Sequence, residues 1–248
     1  MKPFGSAPHN KKTMEKVTSG IEGFDKLLFG GFPKGRAYLI AGEPGTGKTI
    51  FCLQYLLAGA KLGQKGIYIS IDEKPEQVIA DAASLGWDLN SYLKVGLLQI
   101  IDVSNYFATS KLGETGINID HIVDDILGYV KKVGAVRLAI DPIAPLVLAE
   151  NKVPEVAEYI RKLIFAIEEN ETCTTLLTSY VPVGSINFSQ HGIEEFVASG
   201  IVLLRLSKIE NKFIRTVWVK KMRGTRIDLS EVSFEILPRR GLVLRQPI

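Results

Sequence analysis

The stretch Gly42-Glu43-Pro44-Gly45-Thr46-Gly47-Lys48-Thr49 reads G-x-x-x-x-G-K-T, with an apolar run before it and a helical period after it. Few short patterns constrain a fold so tightly. Backbone N–H groups of such a loop point inward and cradle phosphate oxygens. Lys48 sets a cation near the β and γ positions, and the Thr49 hydroxyl is placed to ligate Mg2+. Arg36–Ala41 reads as a buried strand, and Ile50–Ala60 as a helix with Phe51, Tyr55 and Ala58 on one side. A loop between strand and helix sets bound phosphates on a helix N-terminus. All eight loop residues, Gly42 to Thr49, are therefore expected nucleotide contacts.

Bulk properties narrow the setting. A length of 248 residues suits one large α/β domain, and 46% hydrophobic with 23% charged residues is ordinary for a globular chain. A net charge of +3 demands no polyelectrolyte partner, and the basic pairs Lys11-Lys12 and Arg239-Arg240 read as solvated ends. The two cysteines, Cys52 and Cys173, each lie in an apolar element, a reduced profile without disulfide framework or metal spacing. No signal-peptide core and no membrane-length apolar run occurs, so a cytoplasmic protein is expected.

Residues 1–16 read as a flexible polar leader and 17–248 as the domain. Within it, apolar strands alternate with helical periods, the pattern of a mostly parallel central sheet flanked by helices. Strands are predicted at Gly66–Ile71, Leu97–Asp102, Arg137–Asp141 and Thr174–Ser179, and helices at Glu76–Leu85 and Val153–Glu169. Ile201–Leu206 and Phe213–Met222 form a predicted hairpin turning at Glu210-Asn211. Ser233–Ile236 and Gly241–Leu244 close the domain as C-terminal antiparallel strands. Ser104–Asn118 and Val181–Gly192 are left as long loops, which in compact domains are often functional.

A nucleotide site needs further parts. Asp141 ends an apolar strand, where a carboxylate joins Thr49 in holding Mg2+. Asp72 and Glu73 end the second strand, and either is a candidate base for an attacking water. Thr178-Ser179 ends the fifth strand beside the nucleotide edge, and Ser179 is expected to sense a γ-phosphate. In Lys220-Lys221-Met222-Arg223-Gly224-Thr225, strand alternation sets Lys221 and Arg223 on one face. Two cations there suit a phosphoryl clamp, or else a charged sheet edge that deters aggregation.

The ordered set of motifs resembles the KaiC-like ATPases of the RecA/RadA superfamily. Thr18 to Leu28 followed by Gly30-Gly31-Phe32-Pro33-Lys34-Gly35 is similar to the family's entry signature, and Ser84-Leu85-Gly86-Trp87-Asp88-Leu89 to its S-L-G-W-D stretch. Leu176-Leu177-Thr178-Ser179, Glu194-Glu195-Phe196-Val197-Ala198 and Lys221-Met222-Arg223-Gly224-Thr225 complete it, so the resemblance runs from Thr18 to Val243. It implies a RecA-like core that binds ATP with Mg2+ between subunits of a homo-oligomer, commonly a hexameric ring, with filaments among RecA relatives. It implies that Lys221 and Arg223 reach the adjacent protomer's ATP. The usual base is the first Glu of a pair, and here that position holds the shorter Asp72, which predicts slow hydrolysis or a takeover by Glu73. Tyr180 stands where relatives carry Glu or Gln. Arg226-Ile227 replaces their Ser-His, and no Ser-Thr pair matches the clock autokinase.

Three outputs follow from the residues and the resemblance: a regulatory ATPase, a single-stranded-DNA-binding recombination paralogue, and a nucleotide-gated protein-interaction module with little turnover. The loop 181–192 carries Phe188 but no Lys or Arg, whereas single-strand binding combines stacking with positive charge. Phe4-Gly5-Ser6-Ala7 has the F-x-x-A form of a protomer tether. Adenine is implied by the resemblance alone, and no guanine-reading N-K-x-D occurs.

Overall fold

A computed structural model describes residues 14–104, 119–143, 153–169, 171–182, 188–190, 192–209 and 211–247. The F-x-x-A stretch, the Lys11-Lys12 pair and most of the two long loops lie outside these residues.

Eleven strands and seven helices are formed among the described residues. The strands are β1 (Lys16–Val17), β2 (Phe32–Pro33), β3 (Ala37–Gly42), β4 (Gly66–Ser70), β5 (Leu98–Asp102), β6 (Arg137–Asp141), β7 (Thr174–Tyr180), β8 (Gly200–Ile209), β9 (Lys212–Met222), β10 (Val232–Leu237) and β11 (Gly241–Pro247). The helices are α1 (Phe24–Leu27), α2 (Lys48–Lys61), α3 (Pro75–Ser84), α4 (Leu89–Lys94), α5 (Ile119–Val133), α6 (Val153–Glu169) and α7 (Glu194–Val197). One sheet takes the order β11-β10-β9-β8-β3-β7-β6-β4-β5. From β8 through β5 its neighbours run parallel, and β9, β10 and β11 follow antiparallel, as the periodicity predicts.

Strand alternation splits the core in two. In β3, Tyr38 and Ile40 face the cluster under α2, α3 and α4, while Ala37, Leu39 and Ala41 face the cluster under α5 and α6. Both faces are covered, so the central strands read as unbroken apolar runs. Helix α2 is buried nearly all round, from Phe51 to Leu57 and again at Gly59 and Ala60. An aromatic cluster anchors it to the entry segment, with Phe24 edge-on to Phe51 at 5.1 Å and Phe32 tilted on Tyr38 at 4.8 Å.

Four helices, α1, α4, α5 and α7, are not among those that the periodicity predicts. Asp88 caps α4 by accepting from the Ser91 amide at 3.2 Å, a local signature visible in D-x-x-S. Helix α5 buries Ile122, Val123, Ile126 and Val130, a legible 3.6 period that follows directly on a long polar loop.

The four parallel neighbours β3, β7, β6 and β4 end at one edge of the sheet. Ligands of open α/β sheets bind at the carboxyl ends of the strands. The loop after β3, Asp141 of β6, Tyr180 of β7 and the turn after β4 are thereby gathered together. Gly35, just before β3, fixes where this begins. Its φ is +73°, and an added Cβ would lie 2.2 Å from the Glu171 carbonyl oxygen. Gly35→Ala is therefore expected to lower stability by about 2–4 kcal/mol, read by urea unfolding against the parent chain.

Candidate functional site: a phosphate loop with a buried carboxylate

Gly47 precedes α2 with φ 103° and Gly45 sits at φ 78°, values open to glycine, so the G-K-T pattern supplies the bends that the loop needs. Gly42 is required for a different reason. A Cβ there would lie 2.4 Å from the Leu204 carbonyl and 2.7 Å from the Thr46 hydroxyl. Thr46 in turn donates its hydroxyl to the Glu43 carbonyl at 2.8 Å and closes the loop.

Behind the loop lies Asp141, 9% exposed. Three hydroxyls donate to its carboxylate: Thr49 of α2 and Tyr68 of β4 to Oδ2, each at 2.7 Å, and Thr178 of β7 to Oδ1. A buried carboxylate needs this many donors, and hydrogen bonds to a charged acceptor are the strong ones. Thr49 and Asp141 thus present adjacent oxygens at the foot of the loop, hard donors of the kind Mg2+ takes.

Lys48 folds back on the loop. Its ammonium donates to the Gly42 carbonyl at 2.8 Å and the Glu43 carbonyl at 3.0 Å, and Nζ lies 4.7 Å from the Tyr180 ring centre. Burial pushes this ammonium down to about 8, against the opposing pull of Asp141. A cavity of about 420 Å3 opens over the loop. Glu73 lines it, and Asp72 is not among the lining residues. Burial first, then the negative charge of Asp141, raises both carboxyls above their ordinary range.

The cavity runs on between Ile50 and Leu53 of α2, Ala82 and Leu85 beside α3, and Ile236 of β10. Its apolar walls suit a flat base next to the phosphate cradle. Arg215 of β9 also lines it and donates Nε to the Gly45 carbonyl at 3.3 Å. No local motif marks Arg215; it reaches the loop because β9 and β10 are folded against β8.

Ser179 and the pair Lys221 and Arg223 stand elsewhere. Ser179 faces away from Asp141 and donates to Glu194 Oε1 at 3.1 Å, so Thr178 is the hydroxyl brought to the loop's carboxylate. Lys221 donates to the carbonyls of Glu195 at 2.9 Å and Ala198 at 2.8 Å, and Arg223 to that of Phe196 at 3.1 Å. The Arg223 amide donates to Ser199, whose own amide donates to Ala37. Both cations thus sit at the start of β3, about 17 Å of strand away from the loop at its end. Strand β10 pairs with β9 only from Arg215 to Val217, so the stretch that carries Lys221 is paired by β8 alone and the charged-edge reading still applies to it.

If Asp141 is held by its hydroxyls, Tyr68→Phe removes a donor from a buried charge. Stability should fall by about 1–2 kcal/mol, measured by chemical unfolding at neutral pH.

A scan against family models matches residues 17–247 to the KaiC ATPase family. A UPF0273 protein of Aeropyrum pernix is 33% identical over 93% of this chain and 94% of its own length. The circadian clock oscillator protein KaiC of Prochlorococcus marinus is 36% identical over 87% of this chain, and the match spans 42% of that longer protein. Among solved structures, a KaiC-like protein of Pyrococcus horikoshii aligns with a TM-score of 0.80 at 34% identity. It covers 94% of this chain and 99% of that one. No helix among the described residues is long and apolar enough to cross a membrane. With the loop, the buried Asp141 and the sheet order in agreement, the chain belongs to the KaiC-like ATPases, on a RecA-like fold.

Proposed function

We propose that this chain binds ATP with Mg2+ at the phosphate loop and hydrolyses it slowly at the interfaces of a ring. The observation that carries the reading is the Thr49–Asp141 oxygen pair at the foot of a complete phosphate loop. Bound there, Mg2+ would neutralise charge on the phosphates. The loop amides would hold the β-phosphate, and Lys48 would turn from the Gly42 and Glu43 carbonyls toward the phosphate oxygens. Glu73 is the base of this reading, because it lines the cavity and Asp72 does not, and a carboxylate there can take the proton of an attacking water.

Lys221 and Arg223 enter from a neighbour. In their own subunit they lie at the opposite end of β3 from the loop, so only a head-to-tail contact brings such cations to the phosphates. Six copies closing a ring is the arrangement that the family suggests, with a regulatory output.

Phosphate release in Mg2+ tests this. Lys48→Ala should lower the rate about 100-fold or more, and Glu73→Gln should fall far below Asp72→Asn. Mixing Lys48→Ala with Arg223→Ala subunits should restore about a quarter of the parent rate, since one interface in four then pairs an intact loop with an intact arginine. No restoration would leave the cations without a role in the neighbour.

A second reading, ATP-gated binding of single-stranded DNA, gains support from one arrangement. Phe188 lacks cations in its own loop, but the Lys220 ammonium lies 2.9 Å from its ring centre and the Arg205 guanidinium 5.1 Å from that of Trp218. Stacking surfaces and positive charge are thereby combined. Such binding would otherwise lean on the terminal basic residues Lys11, Lys12, Arg239 and Arg240, of which Arg240 pairs with Glu22. Binding of an oligonucleotide that weakens with salt, by a slope near −0.7 per phosphate neutralised, fits this reading; salt-insensitive binding removes it.

A further inference from the structure

Tyr180 ends β7 at the mouth of the cavity. Its neighbours divide sharply. On one side is Lys48, a residue 7% exposed, whose ammonium donates to two backbone carbonyls. On the other are carboxylates: Asp72, Asp141 and Glu73 all act on the Tyr180 phenol, in that order after burial. Asp141 is also the foremost charge acting on Lys48, and its oxygens are held by three hydroxyls.

A desolvated ammonium between backbone carbonyls and a carboxylate is drawn toward the carboxylate. An aromatic face holds it back without neutralising it, because the ring quadrupole attracts a cation but carries no net charge. The Tyr180 ring, 4.7 Å from Nζ, is placed for this.

We propose that Tyr180 is a positioning residue that acts through Lys48. Its ring holds the ammonium over the phosphate loop and away from Asp141, so that an incoming triphosphate finds the cation beside the loop, a short turn from its oxygens. The inference rests on the reading that this loop takes ATP. It assigns the work to the ring face, not to the phenol hydroxyl, and to one partner, Lys48.

The test is a set of ATP affinities in excess Mg2+, measured by calorimetry. Tyr180→Phe keeps the ring and should bind within about twofold of the parent. Tyr180→Leu should bind about threefold to tenfold more weakly. In a Lys48→Met background, Tyr180→Leu should add no further loss, since its effect travels through the missing ammonium. If Tyr180→Leu does not fold, Tyr180→Met carries the same comparison.

Two outcomes overturn the inference while ATP still binds the parent chain. An equal loss from Tyr180→Leu with and without Lys48 would show an effect independent of the lysine. A Phe variant as weak as the Leu variant would give the work to the hydroxyl. A parent chain that binds no ATP would overturn the proposed function itself, and this inference with it.

Discussion

The buried carboxylate of Asp141 is the constraint around which the rest of the edge is arranged. It lies behind the loop, and its oxygens are met by hydroxyls from α2, β4 and β7. Each hydroxyl belongs to a different element, so satisfying one charge also sets the helix after the loop against two strands. An unmet carboxylate at that depth would cost far more than any one of these bonds contributes. The same carboxylate sets the electrostatics around it. It opposes the loss of charge on Lys48 and raises the carboxyls of Asp72 and Glu73.

Around that charge the cations divide into two groups. Lys48 and Arg215 attend the loop of their own subunit, one from the helix start and one from an antiparallel strand folded back across the sheet. Lys221 and Arg223 are held at the other end of β3 by the carbonyls that close α7. An alignment of side chains that cannot meet within one chain is the physical ground for reading them as gifts to a neighbour. Helix α7 ties the two ends together. Glu194 accepts from Ser179, Glu195 accepts from the Phe188 amide and the Ser189 hydroxyl, and the carbonyls of the same short helix receive Lys221 and Arg223. The segment after β7 and the far-edge cations therefore share one support.

Much of this was legible locally. The loop, its strand and its helix follow from glycine positions and from periods of 2 and 3.6, which act over a few residues. Asp141 was legible only together with the loop, because an acid at the end of an apolar strand can equally cap a turn, as Asp102 does by accepting from the Ser104 amide. The residues that escaped are those whose role depends on a distant partner. Arg215 meets a loop 170 positions earlier in the chain, and nothing around it announces that contact. In Thr178-Ser179, alternation guarantees that the two hydroxyls face opposite ways but not which one faces the site. Packing of β7 between β3 and β6 decides it, and turns Thr178 to Asp141.

The amino-acid sequence by itself determined the fold class, the phosphate loop and the identity of its hydroxyl and carboxylate, because backbone geometry and apolar periodicity are local. Only the tertiary structure decided which strand ends share an edge, which of two neighbouring hydroxyls or carboxylates faces the cavity, and that an aromatic ring stands beside the loop lysine. Those outcomes depend on the order of strands in the sheet. That order is set by burying two apolar faces at once, a condition on the whole chain and not on any stretch of it.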